Sequence, residues 1–153
     1  MPSNILLLSI KPKYAEKIFS GQKKVELRRV RTRLNSGDLV LVYVSSPQKA
    51  LIGFFEVEKV VVKENLPQEL NNLWELVKKY ASIEREAFMS YYQGSYLGVC
   101  IFVKKTRRFS APIELQILRE KFGYFFPPQS YRYLTGSEIT VLEKLVGDRI
   151  AKL

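Results

Sequence analysis

Two rhythms of apolar residues run along this chain. Residues 4–10 are a nearly unbroken aliphatic run, as a strand buried on both faces would be, and 39–44 repeats that pattern. Residues 50–62 read as a longer strand, in which Gly53 marks a bulge or tight bend. Between these runs the spacing changes to that of a helix. Tyr14, Ala15, Ile18 and Phe19 form one apolar face, with Pro12 in the first turn and Gly21 at the end. Leu70, Leu73, Trp74 and Val77 mark a helix over 67–80, followed by another over 83–92. Residues 96–104 and 106–113 read as two strands around a basic turn. A short helix over 112–121 stops at Gly123, and a last helix covers 136–151.

Between 23 and 29 a short strand alternates differently. Val25 and Leu27 point to one side, and Lys24, Glu26 and Arg28 to the other, with Lys23 at the turn. Charged residues are poor choices for a half-buried strand. Buried charges need partners or a ligand. The cluster is therefore either a salt-bridged surface ribbon or the floor of a polar site.

Strand, helix, a run of strands, a helical insertion, more strands and a last helix together predict an α+β barrel. A closed barrel with a helix at its mouth leaves a small polar cleft. Residues 1–153 are expected to form one domain, with a helical insertion at 66–92 and a C-terminal extension at 122–153. No apolar run reaches the roughly 20 residues of a membrane span. The first residues lack the pattern of a signal peptide, and a lone cysteine, Cys100, suits a reducing cytoplasm.

Charge changes the picture. The net charge is +10, which favours anionic partners. Lys23, Lys24, Arg28, Arg29, Arg31 and Arg33 cluster, as do Lys104, Lys105, Arg107 and Arg108. Neither cluster lies on an amphipathic helix, so nucleic acid is expected ahead of a membrane. With no histidine, Ser-His-Asp and Cys-His chemistry is excluded. Catalysis, if present, falls to groups such as Lys23 and Glu26. Neither a metal nor a cofactor is expected.

Arg28 suits a phosphate or Glu26, and Glu26 can accept from an exocyclic amine. Lys23 suits a phosphate; desolvation beside Arg28 would instead lower its pKa and make it a base. Gln129, Tyr131, Arg132 and Tyr133 follow Pro127-Pro128, where an extended strap could wall the cleft: Gln129 on a base edge, a tyrosine stacking, Arg132 on phosphate. Phe125 and Phe126 are expected to pack onto the barrel. Tyr91, Tyr92 and Tyr96 are expected to be half-buried, and Trp74 and Cys100 to be core.

The pattern Gly21-x-Lys23-x-x-Glu26-x-Arg28 follows Leu7-Leu8-Ser9-Ile10-Lys11-Pro12 and precedes Gly37-Asp38-Leu39-Val40 and Tyr43-Val44-Ser45-Ser46-Pro47. Together these resemble the ASCH domain family, of the PUA-like superfamily. The resemblance implies a mixed β-barrel with flanking helices and a cleft facing RNA or a modified nucleoside. Ser9, Lys11, Lys23, Glu26, Arg28, Arg29, Tyr43, Ser45, Gln129 and Arg132 are the candidate ligand-binding residues. The family's members are mostly RNA-binding or transcription-coregulator modules. A few related proteins are enzymes, either ribonucleases or amidohydrolases that deacetylate N4-acetylcytidine. The amidohydrolases use a lysine, a threonine three residues later and a distant glutamate. Lys23 matches the lysine, but Glu26 stands where the threonine would be. Three functions follow: RNA binding, hydrolysis of RNA or of an acylated nucleoside, and protein docking through the strap at 122–133.

Overall fold

β1 (Ile5–Ile10) runs parallel to β3 (Leu39–Val44), in register from Ile5 opposite Leu39 to Ile10 opposite Val44. A parallel pair needs a long crossover. α1 (Pro12–Phe19), β2 (Val25–Arg28) and the loop to Asp38 supply it. The other pairings are antiparallel: β3 with β4 (Ala50–Lys63), β4 with β5 (Gly98–Glu114), β5 with β2, and β1 with β6 (Tyr131–Tyr133). The resulting order is β2-β5-β4-β3-β1-β6. α2 (Leu66–Val77) and α3 (Arg85–Tyr92) form the helical insertion, α4 (Leu115–Phe122) follows β5, and α5 (Gly136–Val146) closes the chain. This computed structural model describes residues 4–123, 125–129, 131–147 and 150. The expected helix over 148–151 thus lies largely outside the described residues.

The α+β class and the PUA-like barrel architecture are those expected, and the mixed sheet curls into a half-barrel. The expected closure differs. β2 and β6 are the sheet edges, and side chains of β2, β6 and the loop after β2 bridge the seam, reaching β1 and β6. Arg28 Nη2 donates to the Ser9 carbonyl at 2.6 Å, and the Tyr131 hydroxyl donates to the Arg31 carbonyl at 2.6 Å. The Arg33 amide donates to the Tyr133 hydroxyl, and its guanidinium lies 4.0 Å from the Tyr133 ring centre. Such bonds leave the mouth open where a closed ladder would not.

A second expectation also changes. Residues 98–114 are one strand rather than two. Lys105, Arg107 and Arg108 sit in mid-strand opposite residues 53–56, Lys104 falls at the adjoining register shift, and no turn falls there. Register shifts near Gly53 and around Val57 bend the long β4–β5 ribbon, as bulges do. Gly53 is required at its bend, because a Cβ there would lie 2.3 Å from the Arg107 carbonyl oxygen.

Three apolar clusters hold the fold. Leu6, Leu8, Ile10, Val40, Val42 and Val44 pack with Ala15 and Ile18 of α1. The alternate residues Leu7, Leu39, Leu41 and Tyr43 pack with Leu118, Phe125 and Leu142 beneath α4 and α5. Sheet residues with helices on both faces are buried at consecutive positions, and all six residues of β3 are buried. Val25, Leu27, Cys100 and Phe102 pack under Leu73, Val77, Phe88 and Tyr92 of the insertion. Trp74 is half-buried against Phe88. Asp38, unremarked as a charge in the sequence, is 2% exposed. It accepts from the Asn4 amide, the Asn4 side chain and the Asn35 amide, which pins the start of β1 to the turn before β3.

α5 begins with a capping box. The Glu138 amide donates to Thr135 Oγ1, the Glu138 carboxylate accepts from the Thr135 amide, and Arg132 clasps both Glu138 oxygens. Burial pushes the Glu138 carboxyl up, but the Arg132 and Thr135 hydrogen bonds outweigh it and hold it below 4.5. Thr135→Ala should cost about 1 kcal/mol, seen as a Tm lower by roughly 2–4 °C. A carboxyl whose folded pKa is depressed stabilises above its unfolded value. The stability gap between wild type and Glu138→Gln should therefore be full above pH 4.5 and shrink on acidification below it, which urea melts across that range would measure.

Candidate functional site

The floor of the candidate site is built by β2. Gly21, at φ 85°, turns the chain out of α1. Lys23 then enters the interior at 3% exposure. Its Nζ donates to the Ala81 carbonyl at 2.7 Å and lies 5.1 Å from the Tyr14 ring centre. Alternation puts Glu26 and Arg28 on the side opposite Val25 and Leu27. Glu26 is 6% exposed. Arg28 Nη2 lies 3.1 Å from Glu26 Oε2 while also donating to the Ser9 carbonyl. The cluster is thus a buried polar site and not a surface ribbon.

Two buried atoms on this floor, Ser9 Oγ and Arg28 Nε, have no hydrogen-bond partner among the described residues. Buried polar atoms are nearly always satisfied, so such a pair calls for an explanation. Both residues line a cleft of about 810 Å³, within the size range of small-molecule sites. Its walls are the β1–α1 junction with Ser9, Lys11 and Tyr14, the end of β3 with Tyr43, Ser45 and Ser46, the loop at Lys49, Tyr91 of α3, Arg119 of α4, and Pro127, Pro128 and Gln129 of the strap.

Burial lowers the Lys23 pKa below 10.5, with Lys17 and Arg28 acting in the same direction and Glu26 opposing them. Burial raises that of Tyr43, so its hydroxyl remains a proton donor at neutral pH, and nearby Arg119 pulls the other way. The Tyr91 hydroxyl donates to the Leu27 carbonyl, and burial likewise raises its pKa. Cys100 takes no part: it is a core residue whose thiol burial pushes up to about 12.

Of the residues expected at the site, Ser9, Lys11, Lys23, Glu26, Arg28, Tyr43, Ser45 and Gln129 line this one cleft. Two others lie elsewhere. The Arg29 guanidinium packs 4.7 Å from the Tyr91 ring centre on the outer side, and Arg132 is committed to Glu138. Of the strap, Phe125 is 4% exposed as expected. Phe126 is 70% exposed and does not pack onto the barrel. Ser130 lies outside the described residues. Sequence reasoning missed Tyr14, Lys49, Tyr91 and Arg119 as cleft residues. Lys49 could have been found, because it follows Ser45 in the same loop. Arg119 could not, because its spacing is that of an ordinary solvated helix face. Among the described residues no three His, Cys, Asp or Glu side chains are grouped to hold a metal. No described helix is long and apolar enough to cross a membrane.

The mixed, curled sheet agrees with the β-barrel fold that the resemblance implied. The model of the ASCH domain family matches residues 8–99, more than half of the chain. The chain belongs to the ASCH domain family. Within it, the chain is 29% identical over 141 residues to an ASCH domain-containing ribonuclease of Zymomonas mobilis, a match covering 92% of this chain and 91% of that protein. A crystal structure of ASCH from Zymomonas mobilis superposes with a TM-score of 0.84 at 27% identity, covering 93% of this chain and 95% of that one. A large ribosomal subunit protein uL22 of Ureaplasma parvum is 26% identical over 129 residues, which are 84% of this chain and 39% of that protein.

The buried lysine makes the first test of this ASCH site. A base whose folded pKa is lowered leaves the folded state with fewer protons than the unfolded state. Stability from this group therefore rises with pH between its folded pKa and 10.5. Lys23→Met lacks that term. Urea melts at rising pH should show wild type gaining on Lys23→Met through this window, whereas parallel curves would mean that the Lys23 pKa is ordinary.

Proposed function

We propose that this protein binds single-stranded RNA and takes one nucleotide into the cleft, with the base on the Ser9–Glu26–Arg28 floor. The observation that carries this reading is the pair of buried atoms, Ser9 Oγ and Arg28 Nε, that have no partner among the described residues and lie beside the Glu26 carboxylate. Together they offer a planar ligand an acceptor, a donor and a hydroxyl that serves as either. Base edges present that kind of pattern, and a carboxylate accepts from their exocyclic amines. Sequence-specific RNA recognition commonly splays out single bases in this way. Lys11, Lys49 and Arg119 around the opening suit the negative strand. The names of two relatives, a ribonuclease and a large ribosomal subunit protein, support RNA as the ligand.

A second reading adds strand cleavage at the same site. It is favoured by Lys23, whose pKa burial lowers, and Tyr43, whose hydroxyl is a proton donor, lining one cleft, and by the ribonuclease name of the relative that matches nearly full length. Neutral Lys23 would take the proton from a 2′-hydroxyl. The 2′-oxygen would attack phosphorus, and the 5′-oxygen would leave with a proton from Tyr43. The products are a 2′,3′-cyclic phosphate and a 5′-hydroxyl. Positioned acid and base groups of this kind typically contribute 10²–10⁴-fold each.

Labelled single-stranded RNA, duplex RNA and DNA, titrated at two salt concentrations, test binding. Affinity for single-stranded RNA should fall linearly with salt on log axes. Glu26→Gln should lose about tenfold, the low end of one base-edge contact. Salt-independent binding, or none, would end the proposal.

Denaturing gels of the same mixtures test cleavage. The rate should rise with pH and level off at the Lys23 pKa, below 10.5. Lys23→Met should leave the RNA intact. A Lys23→Met protein that still cuts would remove lysine from the reaction.

A further inference from the structure

The cleft has a neighbour that no part of the proposed function uses. A second cavity of about 700 Å³ lies on the far side of Lys49 and α4. Lys49, Leu115 and Arg119 line both cavities. They therefore form a ridge between the two, and both of its polar heads are cationic.

The local structure explains why this ridge is fixed in place. The Leu115 amide donates to the Lys49 carbonyl at 3.0 Å, which ties the β3–β4 loop to the first turn of α4. Lys49 itself sits at φ 50°, an uncommon conformation for a residue with a side chain. Leu115 and Arg119 are four residues apart on α4, hence one above the other on one face. Gln116 and Glu120 have the same spacing one position on, and both line only the second cavity. The two sides of α4 thus address two different compartments. Arg119 is exposed and has no ion pair or hydrogen bond from its guanidinium among the described residues, and the same holds for the Lys49 ammonium. Arg119 is also close enough to the Tyr43 hydroxyl to act on it electrostatically. The second cavity carries Glu114 and Glu120 as well. These carboxylates disfavour a phosphate on its floor and leave the ridge as the place where negative charge is stabilised.

We propose that Lys49 and Arg119 seat a phosphodiester, so that the ligand is a strand of at least two nucleotides, one nucleoside in the deep cleft and its neighbour in the second cavity. This inference rests on the reading of the deep cleft as a nucleotide site. It adds that a free nucleoside fills only half of the available site. Gln116 offers the second base an amide, a group that both donates and accepts.

The test uses the full chain and calorimetry with three probes that cannot be cleaved at the 2′-position: a 2′-O-methyl nucleoside, a 2′-O-methyl dinucleoside monophosphate and a 2′-O-methyl single strand. Wild type should bind the dinucleotide at least about tenfold more tightly than the nucleoside, as expected for one added charged contact plus a second base. Arg119→Ala should erase most of that gain and lower the salt slope for the strand by about 0.7. Arg119→Lys should restore the slope, and Gln116→Ala should weaken the dinucleotide and not the nucleoside. Arg119 is exposed and unpaired, so Arg119→Ala should retain the wild-type Tm. If that variant binds dinucleotide and strand as wild type does, the ridge proposal is overturned while the cleft reading stands. If wild type binds none of the three probes, the cleft reading fails and the ridge with it.

Discussion

The Arg28 guanidinium is the point on which the rest of this structure turns. One of its nitrogens meets Glu26 and the Ser9 carbonyl together, and so ties the edge strand β2 to β1 across a seam that no ladder closes. A guanidinium is planar, always charged and a fork of five donors. It can therefore hold a carboxylate and a carbonyl and still have an N–H to offer. Arg28 leaves Nε over for the cleft. Removing one partner from a buried pair of this kind costs about 3–5 kcal/mol, because the other charge is left uncompensated. The same contact thus closes the half-barrel and makes the floor of its mouth.

The helical insertion depends on that floor and also supports it. Its inner face packs on Val25, Leu27 and Cys100 of β2 and β5. Three bonds staple the loop between its helices to α1 and the α1–β2 turn: Lys17 Nζ to the Ser82 carbonyl, Lys23 Nζ to the Ala81 carbonyl, and the Lys24 amide to the Tyr80 carbonyl. Burying the lysine stem beneath this loop is what desolvates its amine. The insertion is therefore part of the site, since it supplies the Tyr91 wall and sets the basicity of Lys23.

Much of this was legible in the chain, for identifiable reasons. Strands β1 and β3 and the first half of β4 are apolar at nearly every position because they are buried on both faces, and such runs read clearly. α1 announced itself through Pro12, Gly21 and the spacing of its apolar residues. The basic run at 104–108 misled, because a cluster of charges resembles a turn. In fact β5 extends past the short β2, so these residues are paired on one side only and remain exposed in mid-strand. Phe126 misled for the opposite reason: an aromatic beside prolines reads as packing, and no sheet face is left to receive it.

The sequence by itself determined that Glu26 and Arg28 share one short strand, that Lys23 stands at the glycine turn before it, and that Glu26 and Arg28 lie opposite two apolar residues. Strand alternation is a local property, so local spacing is sufficient for it. Only the tertiary structure decided that these charges are largely buried, that Ser9 meets Arg28, and that Tyr43, Lys49 and Arg119 line the same cleft. Those residues come from β1, β3, a loop and α4, which the parallel β1–β3 crossover and the curl of the sheet bring to one mouth. Periodicity along the chain says which face a residue is on, but it does not say what the opposite face will meet.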